Sequence, residues 1–180
     1  MAPQSRVVYA DNDPIVLTHA RALLTSTPEG ACDYVDGDLR EPDKILAQAA
    51  RTLDFTKPVG LMLLGILHHI PDTDQAYSIV RHLMSALAPG SYLAINHSTS
   101  AVHGAAMEEA VAHWNRVGTP SMTLRTPEQV TWICAVASLL GLDPVAASNG
   151  SSAHRTLHEG RSRGVSPVPR RHGFVPMRGG

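Results

Sequence analysis

The chain has 180 residues, which suits one domain with a sizeable core, and 43% of them are hydrophobic, as in globular proteins. A formal net charge of −1 excludes a general electrostatic attraction to nucleic acid or membranes. Cys32 and Cys134 match no metal-binding spacing, no apolar run is long enough to span a membrane, and no signal segment opens the sequence, so we expect a cytoplasmic protein with reduced thiols.

The first predicted element is a strand that ends in an acidic residue. Residues 7–10 are apolar and are followed by Asp11, after which Asp13-Pro14 is typical of a helix start, with Asp as N-cap and Pro in the first turn. We therefore predict a buried strand followed by a helix to about residue 24. An acidic side chain at the carboxyl end of a parallel strand can accept hydrogen bonds from the ribose hydroxyls of a nucleotide.

The chain then alternates predicted strands with predicted helices. The strands are short apolar runs bounded by turn residues, and the helices have apolar side chains at helical spacing or a capping box at their start. Strands are predicted at 32–36, 59–67 and 91–96, and helices at 41–51, 74–87, 102–117 and 126–140. The run at 59–67 is apolar throughout, which is typical of a strand buried on both faces. This alternation implies a doubly wound, mostly parallel α/β sheet.

The composition changes near Ser148. Residues 151–180 contain six arginines and one acidic residue, with no apolar period. Such a segment cannot bury enough surface to offset the entropy lost on ordering. We therefore predict a domain at 1–147 and a disordered basic tail at 148–180. A basic tail can bind nucleic acid, but a solvated tail is the simpler interpretation.

Four segments carry a recognisable pattern. They read Arg-Val-Val-Tyr-Ala-Asp-Asn-Asp-Pro and onward at 6–24, Tyr-Val-Asp-Gly-Asp-Leu-Arg-Glu-Pro at 34–42, Leu-His-His-Ile-Pro-Asp at 67–72, and Ala-Pro-Gly-Ser-Tyr-Leu-Ala-Ile-Asn-His at 88–97. In this order they resemble the Rossmann-like S-adenosylmethionine-dependent methyltransferases, and specifically an actinobacterial family with undefined substrates. The resemblance implies methyl transfer from S-adenosylmethionine to an unidentified small molecule, with no nucleic acid or membrane partner.

The resemblance also implies a cofactor site on two loops. Asp11, with Asn12 beside it, matches the acidic residue that holds the cofactor ribose. Asp38 matches the residue that takes the adenine amino group, with the Leu39 amide beside it. Two simpler interpretations stay open: Asp11 is a helix-capping acid, although Asp13 is the better cap, and Asp38 is a turn acid before the next helix.

The predicted reaction centre follows the strands at 59–67 and 91–96. The resemblance implies that Gly65 and Leu67 line the methionine end of the cofactor, beside His68. His68 and His97 follow successive parallel strands, so both are expected at the carboxyl edge of the sheet, where either imidazole could act as general base. The alternative is a pair of loop histidines bonded to backbone.

A metal site at this edge is a further alternative. His68, His69, Asp72, His97 and His103 have side chains that suit zinc or iron. Their spacing matches no ligand motif, and methyl transfer from a sulfonium needs no metal, so we predict none.

The chain departs from the family at both ends. The family's first strand and glycine-rich loop should lie before residue 6, and its two final antiparallel strands find no convincing match from Trp132 onward. We therefore expect an incomplete sheet, in which the strands at 7–10 and 59–67 either pair directly or flank an open gap. Open strand edges would lead the isolated chain to associate as a homodimer.

Two other functions remain as alternatives. Adjacent acids such as Asp11 and Asp13 also open phospho-receiver domains, where they hold magnesium, but the strand that should end in a phosphorylatable Asp ends without an acid at 63–66. A non-enzymatic remnant that folds but binds nothing is the second alternative, because the glycine-rich loop is missing.

Overall fold

The computed structural model describes residues 3–139 and 143–146, with side chains described up to residue 135. These residues belong to one compact unit, Met1–Gly150. The predicted basic tail at 148–180 lies outside the described residues. None of the described helices is long and apolar enough to cross a membrane.

The described elements alternate strands and helices in the predicted order up to residue 96, after which three helices and a fifth strand follow. Their bounds are β1 Arg6–Asp11, α1 Pro14–Leu23, β2 Ala31–Asp36, α2 Pro42–Ala49, β3 Gly60–Leu64, a 3-10 turn at Leu67–His69, α3 Thr73–Ser85, β4 Tyr92–Asn96, α4 Ser100–His103, α5 Ala105–Val117, α6 Pro127–Leu139 and β5 Asp143–Ala146.

Two predicted elements are interrupted by glycines. The strand expected at 59–67 ends at Leu64, because Gly65 adopts a φ of +68° and the chain turns into the 3-10 segment. The helix expected at 102–117 is broken into α4 and α5, because Gly104 adopts a φ of +50°. Both backbone angles lie in the left-handed region that favours glycine.

The strands form two separate parallel sheets within the described residues. β1 pairs with β2, and β3, β4 and β5 follow one another in the second sheet. The direct pairing of β1 with β3 that we considered does not occur there, so the gap between them stays open. β5 was not predicted; it pairs with the far side of β4, through Tyr92 opposite Asp143, and so does not fill the gap. The parallel α/β architecture is as predicted.

The main core lies between the second sheet and helices α3 and α6. Its buried residues include Leu63 from β3, Leu93 from β4 and Ile133 from α6, and the partly buried Leu39 and Leu46 pack against it. The first sheet therefore contacts this core through the segments that follow β2.

The predicted burial of β1 and β3 was wrong. β3 alternates, with Leu63 buried while Met62 and Leu64 are 66% and 59% exposed. Val7 and Tyr9 of β1 are also exposed. Successive side chains of a strand point to opposite faces, and within the described residues only one face of β3 contributes to the core.

Candidate functional site

Polar side chains cluster at the carboxyl ends of the strands in both sheets. Asp11 at the end of β1 is in register with Asp36 at the end of β2. In the second sheet, Leu64 is in register with Asn96, so the loops that begin at Gly65 and His97 leave the same edge. Carboxyl edges of parallel strands are where α/β folds bind ligands.

Asp11 and Asp13 have different partners. The Oδ1 atom of Asp13 accepts hydrogen bonds from the amides of Ile15 at 2.7 Å and Val16 at 3.4 Å, so Asp13 is the helix cap, as predicted. Asp11 accepts the amide of Asp13 at 2.9 Å through Oδ1. Its Oδ2 has no hydrogen-bond partner in the described part of the chain. The adjacent Asn12 is exposed.

Asp38 forms an ion pair that the sequence did not predict. Its carboxylate accepts the amide of Arg40 at 2.8 Å and lies 3.1 Å from the Arg40 guanidinium. The same guanidinium donates to the carbonyl oxygen of His69 at 3.0 Å. Asp38 is therefore linked through Arg40 to the loop after β3. The turn-acid interpretation describes part of its geometry, while its carboxylate stays partly exposed. Leu39 packs against the core.

The loop after β3 begins at Gly65, whose backbone conformation is one that only glycine adopts easily. A Cβ on Gly65 would lie 3.6 Å from Cε1 of His68, so the imidazole lies directly beside the space that the glycine leaves. The side chain of Leu67 is fully buried in the core, and its carbonyl oxygen accepts from Arg125. Leu67 can therefore contribute to a cofactor site only through its backbone.

Arg125 is a buried cation that the sequence reasoning missed. It is 2% exposed and donates to the carbonyl of Leu67 at 2.8 Å, to the carbonyl of Ile70, and to Thr73 Oγ1 at 3.2 Å. Its Nη1 also lies 2.8 Å from Nε2 of His97. The residue directly precedes the capping box of α6, and nothing in that local pattern indicates its distant partners.

The contact with Arg125 determines the tautomer of His97. A guanidinium has only donors, so Nε2 of His97 must accept. Its Nδ1 therefore carries the proton and donates to the Ser98 carbonyl at 2.8 Å. Burial lowers the pKa of His97, against the raising effect of the Ser98 hydrogen bond, and the Arg125 charge lowers it further. His97 is therefore neutral, with both ring nitrogens engaged.

His68 and His69 form a second hydrogen-bonded pair. Nδ1 of His69 lies 2.9 Å from the carbonyl of Ser121 and must donate to it, so Nε2 of neutral His69 accepts. His68 then donates to it from Nε2, across 3.1 Å. This assignment leaves Nδ1 of His68 as a bare acceptor. That atom is buried and has no hydrogen-bond partner among the described residues.

His68 is held neutral by its surroundings. The residue is 9% exposed, and burial first, then the neighbouring His69, His97 and Arg125, lowers its pKa to about 4. A buried polar atom without a partner costs about 1–3 kcal/mol, so such atoms in folded proteins need an explanation such as a ligand or a catalytic role.

The structure brings together the two predicted catalytic histidines, whose ring centroids are 5.8 Å apart. Across the described residues, no group of three or more His, Cys, Asp or Glu side chains could hold a metal ion. Besides Arg125, sequence reasoning missed Arg40 and Ser121. Arg40 lies within the segment at 34–42, but its contact with the His69 carbonyl joins residues 29 positions apart, and the contact of Ser121 with His69 joins residues 52 apart, so no local pattern indicates either contact.

A family model described as S-adenosyl methyltransferase matches residues 1–149. The chain is similar to a DUF574 family protein from Streptomyces avermitilis MA-4680, with 42% identity and a TM-score of 0.68, over 74% of this chain and 51% of that one. It is also similar to a "putative methyltransferase" from Thermobifida fusca YX, with 36% identity and a TM-score of 0.59, over 73% and 47%. No curated protein matches this chain. The chain thus spans about half the length of these solved structures.

Proposed function

This chain belongs to the S-adenosyl methyltransferase family, as the sequence predicted, and we propose that it transfers a methyl group from S-adenosylmethionine to a small molecule. The geometric observation that carries the proposal is the buried Nδ1 of His68, a proton acceptor with no partner among the described residues, beside Gly65 at the carboxyl edge of the sheet. The family match leaves no support for the receiver alternative.

The first sheet would hold the nucleoside part of the cofactor. The Oδ2 atom of Asp11 would accept hydrogen bonds from the ribose hydroxyls, beside Asn12. The carboxylate of Asp38, which Arg40 keeps in place, would accept from the adenine amino group, with the amide of Leu39 beside it. A carboxylate with a spare oxygen and a partly exposed ion-paired carboxylate fit these two roles, because ionised carboxylates offer acceptors only.

The second sheet would hold the methionine end of the cofactor, which carries the reacting methyl group. The absence of a Cβ at Gly65 leaves room for the methionine part of the cofactor against the backbone, and the buried Leu67 supports that backbone from below. When bound, S-adenosylmethionine supplies an electrophilic methyl group on a sulfonium. His68 would remove the proton of the attacking group at Nδ1, because the ring is neutral and carries its hydrogen on Nε2, which faces His69. His97 would not remove this proton, because Arg125 occupies its Nε2 lone pair and its Nδ1 donates to the Ser98 carbonyl. It would line the site beside His68, with the two ring centroids 5.8 Å apart.

Calorimetric titration of the full chain with S-adenosylhomocysteine tests the cofactor site. We expect measurable binding that weakens roughly 10- to 100-fold in Asp11→Asn, because a hydrogen bond to a charged group contributes about 1.5–3 kcal/mol. Asp43→Asn is the matched control, since Asp43 is exposed and pairs only with His82 within the described residues. No binding by the folded wild type would support the non-enzymatic remnant, and equal binding by both variants would remove Asp11 from the site.

The remaining parts of the proposal concern partners and location. We propose an enzyme without nucleic acid partners, because a net charge of −1 gives no general attraction to nucleic acid. We propose a cytoplasmic location on the basis of the two free thiols, Cys32 and Cys134. We also propose a homodimer that forms through the open strand edges flanking the gap, where Val7 and Tyr9 of β1 and Met62 and Leu64 of β3 are exposed. Sedimentation equilibrium should give twice the monomer mass, and a monomer at all concentrations would refute the dimer.

A further inference from the structure

We propose that His69 is a positioning residue that acts through His68, by accepting the Nε2 proton of His68 when the buried Nδ1 of His68 takes up a proton from the attacking group. The inference rests on the proposed function, in which His68 is the general base. Three observations support it: His68 is 9% exposed, His69 is half-buried, and their Nε2 atoms are 3.1 Å apart. His69 is thus the more exposed ring of the pair.

The carbonyl of Ser121 determines which histidine donates in the hydrogen bond between His68 and His69. It accepts from Nδ1 of His69 at 2.9 Å, so Nε2 of His69 carries the lone pair that faces His68. A ring flip or the other tautomer of His69 would lose this hydrogen bond. The segment before α6 therefore orients Nε2 of His69 to receive a proton from His68.

The proposed proton transfer breaks two bonds to hydrogen and forms two. The bond between the attacking group and its hydrogen breaks as a new N–H bond forms at Nδ1 of His68, while the Nε2–H bond of His68 breaks as one forms at Nε2 of His69. His68 is neutral before and after, with its proton moved from one nitrogen to the other. His69 becomes the cation, and it returns to neutral when its Nδ1–H bond breaks and water takes that proton. Exchange with water after product release then restores the resting tautomers of both rings.

The charged groups around the pair favour this distribution. Arg125 and His97 lie on the His68 side, with the Asp72 carboxylate stabilising the Arg125 charge. On the His69 side, Arg40 donates to the backbone carbonyl and is itself paired with Asp38. Burial of His68 and the neighbouring Arg125 therefore disfavour a cationic His68.

Acid should produce the same protonated pair without any substrate. One added proton on His69 turns its Nε2 into a donor, so Nε2 of His68 must become the acceptor and Nδ1 of His68 must take up the hydrogen. Protonation of His69 and a tautomer switch of His68 are thus one event. The relay predicts this coupling, whereas two histidines that merely pack together would titrate separately.

The test is an NMR titration of the full chain labelled with ¹⁵N-histidine, in which two-bond proton–nitrogen correlations report the tautomer of each ring. At neutral pH we expect hydrogen on Nε2 of His68 and on Nδ1 of His69. On acidification, His69 should become cationic at the same midpoint at which His68 moves its hydrogen to Nδ1. His82, which faces Asp43 at 2.6 Å, serves as an independent internal reference.

Two variants separate a relay from simple packing. In His69→Gln the amide oxygen can still accept from His68 but cannot take a proton, so the switch should be lost and His68 should keep its hydrogen on Nε2. The matched control His103→Gln removes an exposed histidine and should leave the switch unchanged.

The wild-type titration alone can overturn the proposal. Hydrogen on Nδ1 of His68 at neutral pH, or a cationic His68 beside a neutral His69, would refute it, as would a switch that persists in folded His69→Gln. Because the titration uses neither cofactor nor methyl acceptor, its failure leaves the calorimetric test of the methyltransferase function unaffected.

Discussion

The Nη1 atom of Arg125 lies 2.8 Å from Nε2 of His97, and this contact limits what the histidine can do. A guanidinium can only donate, so the lone pair of His97 that a general base would need is already engaged. Nδ1 of His68, which has no partner among the described residues, differs in this respect. The two histidines follow successive strands in the same way, yet their hydrogen-bond partners give them different chemistry.

Removal of Arg125 should destabilise the protein strongly. In Arg125→Met the carbonyls of Leu67 and Ile70 lose their charged donor, and a buried group left unpaired costs about 1–3 kcal/mol. We expect the free energy of unfolding to fall by about 3 kcal/mol in urea denaturation. Arg81→Met, at an exposed position of α3, should change it by less than about 0.5 kcal/mol. Equal effects would contradict the role of Arg125.

Acid should weaken the fold through His68. Its pKa is about 4 in the folded protein, against 6.5 as the ordinary value, so the unfolded chain binds the proton more readily. The contribution of neutral His68 to the free energy of unfolding is complete above pH 6.5 and is lost as the pH falls from there toward 4. It should amount to about 2 kcal/mol, since each pKa unit corresponds to about 1.4 kcal/mol and partial solvation reduces the total.

Denaturation of His68→Gln across this pH range measures that contribution. The variant should show a flatter dependence of unfolding free energy on pH than the wild type. His103→Gln, which removes an exposed histidine, should keep the wild-type slope. An unchanged slope in His68→Gln would show that burial of His68 does not control the acid sensitivity.

Gly65 should resist substitution for a backbone reason. Its φ of +68° is strained for any residue with a Cβ, while the nearest contact of such a Cβ, to His68, is an ordinary 3.6 Å. We expect Gly65→Ala to cost about 1 kcal/mol of stability. Gly60→Ala is the matched control in β3, where a Cβ would meet nothing within 4 Å. This control should leave the thermal stability of the protein unchanged or slightly increased. An equal loss of stability in both variants would contradict the backbone explanation.

Substitutions of Asp11 and Asp13 should affect different properties, cofactor binding for Asp11 and the stability of the fold for Asp13. Asp13→Ala removes the cap of α1 and should cost about 1 kcal/mol in denaturation. Asp11→Asn retains an oxygen for the amide of Asp13 and should change stability by less than half as much, while it weakens S-adenosylhomocysteine binding. A variant of Asp13 that lost binding without losing stability would reverse the two assignments.

Local sequence determined the order and type of the elements, and the positions of several caps. Asp13 with Pro14 and Thr126 with Gln129 could be recognised as helix starts, because capping bonds join residues only a few positions apart. The strand ends near residues 10, 36 and 96 followed from the same local signals, whereas the strand expected to reach residue 67 ended at Leu64. The placement of His68 and His97 at one edge was nevertheless predicted. The methyltransferase family was also readable from short segments.

Only the tertiary structure decided the chemistry of that edge. Arg125 reaches His97 across 28 residues of sequence, and Ser121 reaches His69 across 52, so no local pattern could indicate either pair. The spacing of apolar residues could not predict the open gap, β5 or the exposed face of β3. An apolar strand has the same sequence whether or not a neighbouring element covers it. Tautomers and pKa values depend on such distant contacts, since the field at a buried imidazole is set by whatever the fold brings near it.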